Sequence, residues 1–124
     1  MFEYRARLLK IIDGDTLRLE CDVGFYVRAE IDVRLKDVWA PELSQSGGQE
    51  TRTWVAEWLE ANTQVKRWPI WVQTEINTLS EPTEVRSFVR YVGTVRAIDG
   101  PLTTLNDAVN SYLARHPEWT KGTV

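Results

Sequence analysis

The chain has 124 residues, with 43% hydrophobic and 27% charged residues, which is the composition of one globular domain rather than of a disordered chain. A formal net charge of −3 argues against a protein that holds nucleic acid chiefly through nonspecific charge, because such proteins carry a basic face. The single cysteine excludes an intrachain disulfide, and no apolar run approaches the roughly 20 residues that span a bilayer.

The ends of the chain carry little patterning. The amino terminus lacks the apolar segment of a secretory signal. We therefore expect a cytoplasmic monomer without a membrane partner. A single domain is predicted over residues 1–117, followed by a tail at 118–124.

Three strands are predicted in the first third of the chain. Residues 6–12 form an apolar run that ends at the turn signal Asp13-Gly14-Asp15, and residues 16–23 then alternate apolar with polar. The alternation resumes without a break from Phe25 to Leu35, which predicts a third strand. This period places Arg34 on the face opposite the apolar residues.

The period changes in the second half. Apolar residues at helical spacing over 51–62 predict an amphipathic helix of about 13 residues, with its tryptophans in the core. Residues 68–76 and 87–98 predict two further strands. A second helix follows Thr104, which resembles a capping-box residue, and Pro117 ends it.

The predicted order is three strands, a helix, two strands and a helix. This order is typical of a mainly β (α+β) protein built on the five-stranded OB-fold barrel, with one helix between strands three and four and a C-terminal helix. An SH3-like barrel would lack the long intervening helix.

The stretch from Arg34 to Glu42 carries the most suggestive chemistry. An alternating strand runs into a turn containing Pro41, so a guanidinium and a carboxylate flank one tight corner. Arginine binds phosphate with two parallel hydrogen bonds, and a carboxylate can bind a hard cation or orient water. The corner therefore predicts a phosphodiesterase site. Taken singly, however, Arg34 and Glu42 are ordinary surface residues and Asp15 is an ordinary turn former.

Four motifs occur in order along nearly the whole chain, and together they resemble the staphylococcal (micrococcal) nuclease family, whose fold is an OB barrel. The motifs are Ile12-Asp13-Gly14-Asp15-Thr16, Arg34-Leu35 followed by Ala40-Pro41-Glu42, Ser87-Phe88-Val89-Arg90-Tyr91, and Leu105-Asn106.

The resemblance implies a calcium-dependent nuclease that hydrolyses phosphodiester bonds in DNA or RNA. Arg34, Glu42 and Arg90 match the catalytic residues of the family, and Asp15 matches its calcium-binding aspartate. Both arginines, together with Tyr91 of the same motif, are the candidate contacts to nucleic acid. Glu42 is also a candidate calcium ligand.

One position departs from the family pattern. Trp39 stands two residues before Pro41, where the family has a second carboxylate. Asp37 is the candidate to replace that ligand through a shifted loop. The departure keeps an alternative open, in which the barrel is a weakened or noncatalytic module that binds nucleic acid or protein. Asn106 is expected to tie the second helix to a loop rather than to contact substrate.

Overall fold

The computed structural model describes residues 2–76 and 90–119, which form five strands and two helices. In chain order these are β1 (Phe2–Asp13), β2 (Thr16–Asp22), β3 (Arg28–Leu35), α1 (Gly48–Asn62), β4 (Ile70–Ile76), β5 (Arg90–Ala97) and α2 (Leu105–Ala114). Residues 77–89, which include the start of the fifth predicted strand at 87–89, and residues 120–124 of the predicted tail lie outside the described residues.

The strands close into a barrel in the order β1-β2-β3-β5-β4. Four of the pairings are antiparallel, including the closure of β4 on β1, whereas β3 and β5 run parallel. Parallel neighbours need a long crossover, which α1 and β4 supply. The predicted OB-fold type of barrel, with a helix between β3 and β4 and a C-terminal helix, is confirmed.

Small aliphatic side chains fill the barrel. The inward residues of β2 and β3 alternate along each strand, as in Leu17, Leu19, Val33 and Leu35. Cys21 belongs to the same layer, as the alternation predicted, and burial raises the pKa of its thiol to about 11.

The tryptophans of α1, which were predicted in the core, lie at its edge instead. Trp54 and Trp58 are half-buried and pack against the core from the side of α1, and Trp39 is 61% exposed. None of the six indoles is buried. A barrel of five strands has a narrow interior that Val and Leu fill, so the larger rings are left at its edge.

The third strand is shorter than predicted. Residues 25–27 continue the alternation, but β3 begins at Arg28. Phe25 and Tyr26 have φ values of 56° and 60° and form a turn instead. The alternation of apolar and polar residues cannot distinguish a strand from a turn at residues 25–27, because Phe25 and Val27 keep the apolar positions of the pattern even though they are exposed.

Asn106 ties α2 to the barrel, as predicted. Its side-chain amide donates to the carbonyls of Lys36 and Gly93, both at 3.0 Å, and its side-chain oxygen accepts from the Val95 N–H at 3.0 Å. Thr104 caps the same helix by accepting from the Asp107 N–H at 3.1 Å.

Packing continues past Pro117. The Trp119 ring stacks on His116, with 4.0 Å between ring centroids, and covers Gly47 at the start of α1. The first residues of the predicted tail therefore pack against the domain. Neither described helix has the length and apolarity needed to cross a bilayer.

Candidate active site

The turn between β1 and β2 is held close to the start of α1. The Asp15 N–H donates to a side-chain oxygen of Asp13 at 3.1 Å, which closes the turn around Gly14. A Cβ atom on Gly14 would lie 2.6 Å from the Thr51 methyl and 2.8 Å from the Ala40 Cβ. Only glycine allows this approach, so the sequence motif has a steric cause.

Asp15 joins this turn to the corner between β3 and Glu42. Its side chain is only 2% exposed, and one carboxylate oxygen accepts from the Ala40 N–H at 3.2 Å. The other oxygen accepts from the Thr16 hydroxyl at 3.3 Å, while the Asp15 carbonyl accepts from the Leu35 N–H at 2.7 Å. The first two sequence motifs therefore form one hydrogen-bonded unit.

Asp13 is a site residue that the sequence analysis did not select. Burial raises the pKa of its carboxyl, and the hydrogen bond and negative charge of Asp15 raise it further, against smaller lowering effects from hydrogen bonds with the Asp15 backbone and Thr16. Two carboxylates thus share one turn. The signal was present in the sequence as an aspartate two residues before Asp15, although it was interpreted only as a turn former.

Arg34 lies at the carboxyl end of β3, in register with Thr16 of β2 and Val92 of β5. Its side chain is half-buried and makes no hydrogen bond or ion pair with any residue that the structure describes. The other arginines of β1 to β3 do have carboxylate partners: Arg5 with Asp22, Arg7 with Glu20, Arg18 with Asp32, and Arg28 with Glu20. Arg34 therefore differs from its neighbours in keeping its guanidinium available.

Glu42 lies on a loop that folds back onto α1. The Glu42 N–H donates to the side-chain oxygen of Gln45 at 2.8 Å, and the Gln45 N–H donates to the Glu42 carbonyl at 2.9 Å. A Cβ atom on Gly48 would come within 1.9 Å of that same carbonyl. Backbone packing therefore fixes the position of Glu42, while its side chain is exposed.

Asp37 and Trp39 lie on the outside of the same corner. Asp37 is exposed at a φ of 60°, and its carbonyl accepts from the Asn110 side chain at 3.0 Å. Within residues 2–76 and 90–119, no three His, Cys, Asp or Glu side chains come close enough together to hold a metal ion. The predicted ligands Asp15, Glu42 and Asp37 are therefore not assembled into a group of three.

The parallel pairing of β3 with β5 brings the second arginine motif beside the first. Arg90 opens β5 in register with Asp32, two pairs away from the match of Arg34 with Val92. Only the backbone of Arg90 belongs to the described structure. Tyr91 is half-buried and packs against the core, and its contact with nucleic acid stays a prediction.

Comparison with protein-family models gives no match, and comparison with curated protein sequences also gives none. The resemblance to the nuclease family therefore stays a prediction from the ordered sequence motifs.

Proposed function

We propose that the protein is a nuclease that hydrolyses phosphodiester bonds in DNA or RNA at the corner formed by the β1–β2 turn and the end of β3. The observation that carries the proposal is Arg34. The residue is half-buried at the end of β3, in register with Thr16, which follows the turn that carries Asp13 and Asp15. Its side chain nevertheless lacks the carboxylate partner that the other arginines of β1 to β3 have. An available guanidinium in such a place is suited to an anionic substrate.

The chemistry assigns one task to each residue. Arg34 would bind two oxygens of the scissile phosphate and stabilise the charge that grows as phosphorus becomes five-coordinate. Arg90, which starts the strand paired with β3, is proposed as the second cation on the phosphate. Glu42 would orient the attacking water and accept its proton, a role that suits a carboxylate without a hydrogen-bond donor among the described side chains.

A hard divalent cation fits the donor chemistry of the turn. Asp13 and Asp15 bring two carboxylates together, and the raised pKa of Asp13 reflects in part their mutual repulsion. Carboxylate oxygens supplemented by water and backbone carbonyls are the ligands that calcium accepts, so we propose these two residues as its protein anchors. When bound, the cation would polarise a phosphoryl oxygen. In this arrangement neither Glu42 nor Asp37 would bind the metal directly.

The direct test is degradation of denatured DNA by the purified protein. We expect cleavage in millimolar calcium, complete loss with chelator, and a loss of about a hundredfold or more in Glu42→Gln, because the variant cannot accept a proton from water. Gln45→Ala serves as a control for the loop itself, since it removes the side chain that holds the Glu42 N–H. An absence of cleavage over the whole calcium range contradicts the proposal.

A second function is favoured by one specific observation. Trp39 is 61% exposed where the nuclease family has a carboxylate, and an exposed indole is a stacking surface for a base. The alternative is therefore a noncatalytic module that binds single-stranded nucleic acid. Binding that weakens with salt but ignores calcium and chelator, in a protein that cleaves nothing, would support this alternative. A protein partner, as the sequence analysis also left open, has no such observation in its favour.

A further inference from the structure

The tip of the β2–β3 hairpin, residues 23–27, is unusual in both exposure and backbone conformation. Phe25 and Tyr26 are 95% and 103% exposed, so neither ring packs on residues 2–76 or 90–119. Both have left-handed φ values, and the Val27 N–H donates to the Gly24 carbonyl at 2.9 Å across them. A two-residue turn of this kind favours Asn-Gly, because large side chains are strained at positive φ.

The two rings therefore stabilise nothing within the described structure, although the turn strains their backbone. Backbone strain that internal packing does not explain is a common property of binding loops. The rings extend from the protein as a pair, which suits contact with another molecule.

A concave pocket of about 400 Å³ lies beside the tip. It is lined by Arg5, Asp22, Gly24, Phe25, Tyr26, Arg28, Arg67 and Trp68. Arg5 and Arg28 of this lining form ion pairs with Asp22 and Glu20, whereas Arg67 forms no ion pair with a residue that the structure describes. Arg67 also lies over the Trp68 ring, 5.8 Å from its centroid. The pocket is locally basic and aromatic, unlike the chain as a whole.

Accordingly, we propose that the hairpin tip and this pocket form a second binding surface for single-stranded nucleic acid, an inference that rests on the proposed action on nucleic acid. Phe25 and Tyr26 stack on bases, and Arg67, the arginine of the pocket without an ion pair among the described residues, binds a phosphate. Aromatic platforms combined with arginines are the usual means by which OB folds hold single strands.

The position of this surface fits a single strand that also reaches the candidate active site. β3 leads from Arg28 in the pocket to Arg34 at the corner, a distance of roughly 20 Å at about 3.3 Å per residue. One OB fold covers about 4–16 nucleotides, which is enough to contact both places. The hairpin surface would then hold the strand while the corner acts on it.

Single-stranded nucleic acid explains the pocket better than a membrane does. A tip inserted into lipid needs its rings alone, whereas the guanidiniums here line a concavity beside the rings. Contact with a bilayer is treated as a contrary outcome in the test.

The test measures binding of a fluorescently labelled oligothymidylate of about 16 nucleotides by anisotropy, in chelator so that the proposed cleavage is suppressed. The variant Phe25→Asn with Tyr26→Gly puts the favoured residues into the turn. We expect affinity to fall about tenfold or more through loss of stacking, while the melting temperature stays equal or rises. This opposite response separates a binding role from a structural one. Leu102→Ala, which removes a 92% exposed side chain outside the pocket, is the matched control and should leave affinity unchanged.

The basic part of the surface is tested by Arg67→Gln, with Lys10→Gln as an exposed cation outside the pocket. We expect Arg67→Gln to lower the slope of log affinity against log salt by about one, because one phosphate contact is lost, and Lys10→Gln to leave it unchanged. Unchanged affinity in the hairpin variant overturns the inference. So does binding of the wild type to phosphatidylglycerol vesicles, lost in the variant, without binding of the oligonucleotide.

The two proposals fail in distinguishable ways. If the wild type binds the oligonucleotide through the tip but never cleaves DNA, the hairpin surface stands and the nuclease proposal falls. If DNA is cleaved and the hairpin variant neither binds more weakly nor cleaves a long single strand more slowly, the nuclease proposal stands and the hairpin surface falls.

Discussion

Gly14 shows how one residue determines the distance between two motifs. The turn that carries Asp15 touches both the Ala40 loop and the first turn of α1, and it can do so because position 14 has no side chain. The sequence identified Gly14 as a turn residue. The sequence could not show that position 14 also packs against Ala40 and Thr51, which lie far along the chain.

Gly14→Ala tests this packing. The added methyl would lie within 2.6 Å of the Thr51 methyl, so we expect a loss of about 1–3 kcal/mol in the free energy of unfolding, measured by urea denaturation. Thr51→Ser removes that methyl and should restore part of the stability in the double variant. Equal losses with and without Thr51→Ser would mean that the strain arises elsewhere.

Phe25 and Tyr26 mark the limit of residue patterns. Alternation over eleven residues predicted a strand, and the pattern continues into the turn because both rings are fully exposed. A positive φ costs a large residue on the order of 1–3 kcal/mol. The conformational preferences of Phe25 and Tyr26 therefore argue against a turn here and could not predict it. Gly24 was the available signal, since glycine often begins a tight turn.

At the scale of elements, Asn106 connects α2 with both β5 and the end of β3. Its side chain satisfies the Val95 N–H and two carbonyls, those of Lys36 and Gly93. The helix start thereby fixes the strand end next to Arg34. The motif Leu105-Asn106 indicated a tie of this kind, but not which backbone groups it would join.

Asn106→Ala is expected to lower the free energy of unfolding by about 3 kcal/mol, because it removes the side-chain partner of the Val95 N–H and of the Lys36 carbonyl in a buried place, while the Gly93 carbonyl keeps its bond from the Lys36 N–H. Thermal or urea denaturation measures the loss. Asn110→Ala is the control on the same helix: its amide makes one exposed hydrogen bond to the Asp37 carbonyl and should cost less than about 1 kcal/mol. Similar losses in the two variants would refute the assigned role of Asn106.

The two helices also meet through aromatic rings that the sequence placed elsewhere. Trp54 of α1 stacks on Tyr112 of α2 with 4.7 Å between centroids, and Trp119 lies close to the same tyrosine. Helical spacing correctly put Trp54 on the inward side of α1. It could not show that the partner would be another helix rather than the barrel interior.

At the scale of the whole molecule, the order of elements was enough to predict the barrel. Period two, period 3.6 and the turn residues located each element, and only a few architectures accept three strands, a helix, two strands and a helix. The closure of β4 on β1 and the parallel match of β3 with β5 depend on long-range packing, which the sequence does not display.

The sequence motifs predicted part of the arrangement of the candidate site. The motifs correctly brought Asp15 and the Arg34 corner together, because each lies at an end of neighbouring strands. They did not reveal that Asp13 would join Asp15, nor that Glu42 and Asp37 would stay out of any described three-ligand group. Such details depend on loop conformation, which short motifs leave open.

The central claim is that Arg34 acts on a phosphodiester, and cleavage of denatured DNA by Arg34→Ala tests it most directly. The matched control is Arg7→Ala, which removes an exposed arginine of β1 that is paired with Glu20. We predict that Arg34→Ala loses about a hundredfold or more in cleavage rate while its stability stays within about 0.5 kcal/mol of the wild type, and that Arg7→Ala cleaves normally. Cleavage by Arg34→Ala at the wild-type rate would contradict the account.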